Sequence, residues 1–373
     1  MMPHRRPWQL CDSYGFIGRY ARRRFSEYYN SKSPSGQTVR VQIASARQHL
    51  GLYTSRVNRL HNEDKYRVGF LGDMESFYYG IFDGHGGASC AEFLRDNLHT
   101  YIEHARPSSM TKEQKSVVAD RWRDDVGGYF RRFKPEFSST LSGSLNLAFL
   151  EADYDYTVRD EGTSGSTASV AMVKSPDGPF WDSSKSVLTV AHVGDTRILL
   201  CSVDGRAQPI TKNHHPSSPV ESERLRKYAR AFFTDSFGEE RFGMLANTRA
   251  FGDVKMKKLG VVAEPEVEEI ELEEKYAFMV MCTDGVSDVL SDQEIVDLVK
   301  LEKWPDGAAK RIVTCAENIG ADDNATSIVI RLKGKVAQRV PLTPGWGTSM
   351  NDETKDLREY RLQNEGPISP RRK

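Results

Sequence analysis

Acidic residues stand beside glycine at three well-separated places: Asp83-Gly84, Gly194-Asp195 and Asp284-Gly285. A fourth group, Asp322-Asp323-Asn324, precedes a β-prone run, and Glu63-Asp64 precedes the first apolar segment. Each lies where an extended run stops or a tight turn begins. Carboxylates held at strand ends can converge on one cleft, and like charges that close need a cation to offset their repulsion. All-oxygen ligation selects hard ions, Mg²⁺ or Mn²⁺. Asp-Gly is also an ordinary turn dipeptide, so the case rests on the combination.

The elements that must position these acids alternate from about Leu50 to Leu332. Phe77–Phe82 is aromatic-rich and β-prone and stops at Asp83-Gly84-His85-Gly86-Gly87. Ala88 to Ala105 reads as a helix, with Cys90, Phe93, Leu94, Leu98 and Tyr101 near one face. Ala168–Val173, Ser186–Val193 and Arg197–Val203 read as strands, the last two joined by Gly194-Asp195-Thr196. Ala277–Cys282 is a continuous apolar run ending at Thr283-Asp284-Gly285, as suits a strand buried on both faces. Ser291 and Glu294 form a capping box before a helix to about Trp304. Ala325–Leu332 closes the series. Helices sit between groups of strands rather than after each one, which is an α+β pattern.

Composition limits the alternatives. The chain has 373 residues with 52 Lys+Arg against 52 Asp+Glu, so it is no whole-surface polyanion binder, and no nucleic-acid partner is expected. Its longest apolar stretch, Tyr276 to Cys282, is far short of a membrane-spanning helix. Five scattered cysteines without a C-x-x-C pair argue against a disulfide scaffold or structural zinc and for a reducing compartment. Residues 1–48 carry nine basic side chains against Asp12 and Glu27, with many serines. That is the composition of a mitochondrial transit peptide or, equally, of a disordered basic arm. Residues 107–137 and 175–186 read as insertions in a folded domain spanning 49–334, and 335–373 reads as a mobile tail.

The motifs carry a resemblance. Arg59-Leu60-His61-Asn62-Glu63-Asp64 is followed by Tyr79 to Gly87, Gly165-Ser166-Thr167-Ala168 and Val193-Gly194-Asp195-Thr196-Arg197. Then come Asn247 to Asp253, Cys282 to Asp288 and Asp323-Asn324-Ala325-Thr326. In this order, over about residues 50–332, the stretches resemble the metal-dependent protein Ser/Thr phosphatases of the protein phosphatase 2C family. The resemblance implies two packed antiparallel sheets flanked by helices, phosphoprotein substrates and a monomeric catalytic domain.

It also implies roles. Asp83 would bridge two metal ions, with the Gly84 carbonyl on one of them. Asp284 and Asp323 would complete one ion's ligands and Glu63 the other's, directly or through water. Two such ions can hold and deprotonate a water for in-line attack on phosphorus. Asp195, with Asp284 or Asp288, would serve a third metal site; Asp288 reads equally well as a helix-start acid. Arg59 matches the phosphate-binding arginine, whose planar fork suits a dianion. His85 matches the proposed general acid for the departing Ser or Thr oxygen, with a structural role beside Asp83 as the alternative. Asn58 stands where many members have glycine, Thr196 replaces serine, and Asn213-His214-His215-Pro216 departs from Asp-His-Lys-Pro. The last precedes the expected flap 227–244, so it bears on substrate contacts.

The reading is a Mg²⁺/Mn²⁺-dependent phosphoserine/phosphothreonine phosphatase; a regulatory module keeping the fold without turnover is the alternative. A complete acidic set with Arg59 and His85 favours the enzyme. Nucleic-acid binding through residues 1–48 would rest on charge alone, without an aromatic platform. The mitochondrial matrix is the expected compartment, with cytoplasm or nucleus as the alternative.

Overall fold

The computed structural model describes residues 25–32, 38–43, 48–105, 140–159, 163–176, 178–183, 185–226, 232–234, 240–242, 247–257, 259–337 and 342–343. Two antiparallel sheets organise them. A six-stranded sheet runs in the order Phe25–Ser26, Lys65–Leu71, Ser76–Phe82, Ala168–Lys174, Ser186–Val193, Glu266–Leu272. A five-stranded sheet runs Ala207–Pro209, Arg197–Ser202, Tyr276–Cys282, Ala325–Arg331, Leu50–Ser55.

Side-chain alternation makes the layers. In Ser76–Phe82, Phe77, Tyr79 and Ile81 point into one core while Tyr78 and Phe82 point into another. The first core lies between the sheets, where these residues meet Ile198, Leu200, Met279, Met281, Ile328 and Ile330. Tyr78 and Phe82 instead pack with Leu94 and Leu98 of the helix Ser89–His104 and with Phe149 of the helix Leu141–Arg159. On the other side Phe278, Val280 and Cys282 meet Ile295 and Val296 of Asp292–Lys300 and Ile312 of Pro305–Ile319. The order helix, sheet, sheet, helix is the α+β sandwich that the sequence led us to expect. The strand runs fit both cores because a middle strand buried on both faces has no polar side to show.

Three boundaries differ from expectation. The capping box forms, with the Ser291 N–H donating to Glu294 Oε2 at 2.7 Å. Its helix nevertheless ends at Lys300, not Trp304, and Pro305 opens a second helix at a position where its missing N–H costs nothing. The basic arm expected over residues 1–48 is partly domain: Phe25–Ser26 pairs with Phe70 and Leu71, and Ile43 is buried in the inter-sheet core. Tyr29 packs on Phe70 and Phe77 at ring distances of 5.3 and 5.0 Å, and this aromatic contact draws the segment onto the sheet. The expected tail is likewise anchored at its start. Ala337 N–H donates to the Val203 carbonyl, and Leu342 N–H, Thr343 N–H and the Thr343 hydroxyl all donate to Asp297 Oδ2.

The insertion expected at 107–137 lies outside the described residues, as do residues 1–24 and most of the flap. The flap's described backbone pairs Phe232–Thr234 with Glu240–Phe242. In the segment 175–186, Phe180 is buried against Phe77 and closes one edge of the inter-sheet core. Among the described residues no helix is long and apolar enough to cross a membrane. Four cysteines there, Cys90, Cys201, Cys282 and Cys315, are buried and in no disulfide.

Candidate active site

Two neighbouring strands, one in each sheet, end in aspartate. Asp83 follows Ser76–Phe82 and is 5% exposed; Asp284 follows Tyr276–Cys282 and is 3% exposed. Asp195 sits on the turn between Ser186–Val193 and Arg197–Ser202. One carboxylate oxygen from each of Asp83, Asp195 and Asp284 lies within 4.8 Å of the others. Three carboxylates so close repel strongly in a buried setting, and a hard divalent cation is the species whose charge and oxygen preference fit them.

The structure gathers the expected ligands unevenly. Asp195, expected only at a third site, stands with Asp83 and Asp284. Asp323 is outside that group: its Oδ1 accepts from the Asn324 N–H at 2.8 Å and its Oδ2 from Arg59 Nη2 at 3.1 Å. Arg59 also donates from Nε to the Asp322 carbonyl at 2.8 Å, and its side chain is half exposed. The arginine expected to bind phosphate is thus held by the loop that carries Asp322 and Asp323. Glu63 is half-buried beside Gly84, and Asp288 is exposed, its N–H donating to the Asp284 carbonyl at 2.8 Å.

Below the trio, hydrogen bonds fix the loops. Asp64 is buried and accepts the Thr283 and Thr326 hydroxyls on Oδ2 at 2.9 and 2.7 Å. Of the Glu63-Asp64 pair, the second residue is thus a tie beneath the floor. Asn324 donates to the Arg56 and His61 carbonyls and accepts the Glu63 N–H at 2.8 Å, stapling the Arg59 loop to the last strand. At Gly285 a Cβ would lie 2.1 Å from the Asn324 carbonyl oxygen, so only glycine lets these two loops meet. Val57 holds a positive φ of 50° in the Arg59 loop, a costly conformation for a β-branched residue.

His214 secures the Asp195 turn. Its N–H donates to the Gly194 carbonyl at 2.8 Å, and the Gly194 N–H donates to its Nδ1 at 2.9 Å. Nδ1 is therefore an acceptor, and the ring proton sits on Nε2, which faces Glu266 Oε1 at 3.5 Å. Burial, partly countered by Glu266, keeps this histidine's pKa low; stacked His192, also buried, is held well below the usual value. The departure at 213–216 thus falls under Asp195, where His214 keeps the structural role. Arg249 and Arg224 clamp the buried Glu221 through hydrogen bonds of 2.6 and 2.8 Å. Burial alone would raise the Glu221 carboxyl, but the guanidinium of Arg249, with that of Arg224, holds it below the usual carboxylate range.

His85 occupies the turn after Asp83. Its Nε2 lies 2.8 Å from Oδ2 of Asp253, which is 6% exposed. Asp253 adopts a left-handed φ of 48°, which aspartate tolerates better than most residues. The preceding Gly252 N–H donates to Asp153 Oδ1 at 2.8 Å, and buried Lys257 pairs with Asp153 Oδ2 at 2.6 Å. A Cβ on Gly165 would fall 2.3 Å from His85 Nε2 and 2.4 Å from Asp253 Oδ2, so that glycine leaves the space in which they meet. The sequence reading assigned no role to Asp253, Asn324 or Asp64, although all three lie within the motifs it quoted. An acid at the end of Asn247 to Asp253, next to a glycine, was the available signal for Asp253.

Comparisons with known proteins bear on the family. Residues 53–325 match the family model described as protein phosphatase 2C. Protein phosphatase 2C homolog 4 of Schizosaccharomyces pombe is 40% identical over 369 residues, covering 91% of each chain. Protein phosphatase 1K, mitochondrial, of Xenopus laevis is 31% identical over 283 residues, 75% of this chain and 67% of that protein. Among solved structures, serine-threonine phosphatase 2C from Toxoplasma gondii superposes with a TM-score of 0.54 at 19% identity, covering 82% of this chain and 98% of that one. A family match across the whole motif-bearing domain, and close identity along nearly the full length of a relative, show that this chain belongs to the protein phosphatase 2C family and is a protein-serine/threonine phosphatase.

Proposed function

We propose that the enzyme is Mg²⁺- or Mn²⁺-dependent and hydrolyses phosphoserine and phosphothreonine in proteins at the Asp83–Asp195–Asp284 centre. The observation that carries this is the convergence of three strand-end carboxylates within 4.8 Å, two of them almost fully buried. Asp83, the Gly84 carbonyl, Asp284, Asp323 and Glu63 would hold two ions, and Asp195 with Asp288 a third. When bound, the ions supply charge neutralisation at the phosphoryl oxygens and activation of the attacking water.

The chain's own residues do the rest. Arg59 receives the phosphoryl group through a planar pair of N–H donors, and so must exchange its Asp323 contact for substrate. His85, braced at Nε2 by Asp253, presents Nδ1 as the proton donor to the departing Ser or Thr oxygen. The arrangement parallels other dyads in which a carboxylate fixes one imidazole nitrogen so that the other can act.

Titration calorimetry tests the centre. The metal-free chain should bind Mn²⁺, and Asp284→Asn should weaken that binding by at least tenfold; equal binding by both would put the ions elsewhere. We propose further that the basic residues 1–48 direct the enzyme to mitochondria, supported by Arg-rich, acid-poor composition and by the mitochondrial relative. Fused to a fluorescent protein they should give a mitochondrial signal, and a diffuse signal would defeat the assignment.

A further inference from the structure

A cavity of about 720 Å³ opens at the end of the sandwich opposite the acidic centre. The strand Tyr276–Cys282 sets the separation: Phe278 lines the cavity near one end, and Asp284 follows the other. Six residues at about 3.3 Å each put them roughly 20 Å apart. The volume lies within the range of small-molecule sites, about 300–1,000 Å³.

Its walls are of two kinds. The floor is apolar, made by Phe278, Val299, Ala308 and Val329 where the outer helices part from the sheet. Two tryptophans stand beside it. Trp181 stacks on His49 at 4.3 Å and 15°, and Trp304 is 44% exposed despite its size. Burial lowers the His49 pKa, which keeps that ring neutral at pH 7. The charged lining is mostly cationic: Lys300, Arg331, Lys333 and Lys335 stand with a single acid, Glu302. Glu302 is itself engaged by Arg311 at 2.8 Å, Lys300 by buried Asp297 and Lys333 by Glu274 at 2.7 Å, while one nitrogen of Arg331 donates to the Lys303 carbonyl. Lys335 is exposed, and Arg331 ends the strand Ala325–Arg331 at the rim.

An apolar floor with aromatic sides and a basic rim is complementary to a molecule with an apolar body and an anionic head. We propose that this cavity binds an amphipathic organic anion, with its chain against Trp304 and over Phe278 and its carboxylate or phosphate at Arg331 and Lys335. The site does not depend on the phosphatase reading, because nothing in it touches the acidic centre.

The probe is sub-micellar decanoate added to the full-length Mn²⁺-loaded protein, followed by tryptophan fluorescence and thermal melting. Decanoate should shift the fluorescence and raise the melting temperature, while decanol and acetate at the same concentration should do neither. Arg331→Gln with Lys335→Glu should weaken decanoate at least tenfold. Lys335→Glu alone, at an exposed position, should weaken it severalfold and guards against a folding defect in the double variant. Decanoate should not compete with p-nitrophenyl phosphate. Equal binding of decanol, indifference to both variants, competition at the catalytic site, or binding of a Glu-rich peptide in place of decanoate would each overturn the proposal.

Discussion

Replacing Asp253 by asparagine isolates what the second carboxylate does for His85. The side chain keeps its shape, but the acceptor facing Nε2 at 2.8 Å loses its charge. A hydrogen bond to a charged group in a largely buried place is worth about 1.5–3 kcal/mol. If that energy supports His85 as proton donor, its loss slows the acid-assisted step by roughly 10–150-fold. The effect should depend on the leaving group. A serine alkoxide is a poor leaving group and needs the proton, whereas nitrophenolate departs without it. Asp253→Asn should therefore cut kcat by one to two orders of magnitude on a phosphoserine peptide, and by less than about threefold on p-nitrophenyl phosphate. His85→Gln should show the same contrast more strongly, and the double variant should be no worse than His85→Gln. The Mn²⁺ needed for half activity should stay where it is. Equal losses on the two substrates, with the Mn²⁺ requirement rising alongside, would refute the reasoning and leave the His85–Asp253 pair as a support for the Asp83 loop.

Other consequences are equally direct. Gly165→Ala puts a methyl group where His85 and Asp253 meet; it should reproduce the leaving-group contrast of Asp253→Asn, read by the same two assays. At an effective dielectric of about 20, charges 4.8 Å apart repel by roughly 3 kcal/mol. Asp83→Asn should thus raise the melting temperature of the metal-free chain by several degrees and abolish the rise that Mn²⁺ gives the wild type. Burial, reinforced by Arg67, pushes the pKa of His99 down to about 4. Since the unfolded value is about 6.5, unfolded chains take the proton first, so stability is complete above about pH 6.5 and lost as pH falls toward 4. The gap corresponds to roughly 3 kcal/mol, and urea midpoints of His99→Gln should fall less steeply than wild type over that window.

Much of this was legible in the sequence, for identifiable reasons. The strands ending at Asp83 and Asp284 are buried on both faces, so each is an unbroken apolar run stopped by Asp-Gly. The edge strand Glu266–Leu272 is largely half-exposed and glutamate-rich, and it carries no such signature. The sequence carried the preceding helix to Trp304 and marked no element over Pro305–Ile319, although Pro305 and Gly320, at φ +117°, stand at its two ends. At the site, residue types gave the acids, but partners come from folding. Arg59 meets Asp323 across 264 positions and His85 meets Asp253 across 168, distances over which local pattern says nothing. The same holds for the domain start. Ile43 looked like part of a basic arm because its charged neighbours dominate the composition, while its contact with the core depends on a strand far along the chain.

The central claim is that the carboxylates of Asp83, Asp195 and Asp284 act by holding divalent cations, and the direct measurement is phosphate release from a phosphoserine peptide by protein stripped of metal. In excess EDTA the rate should be at background; added Mn²⁺ or Mg²⁺ should restore it in the wild type and leave Asp83→Asn near background at any concentration. Undiminished release by the stripped enzyme in EDTA, or full Mn²⁺ rescue of Asp83→Asn, would contradict the account.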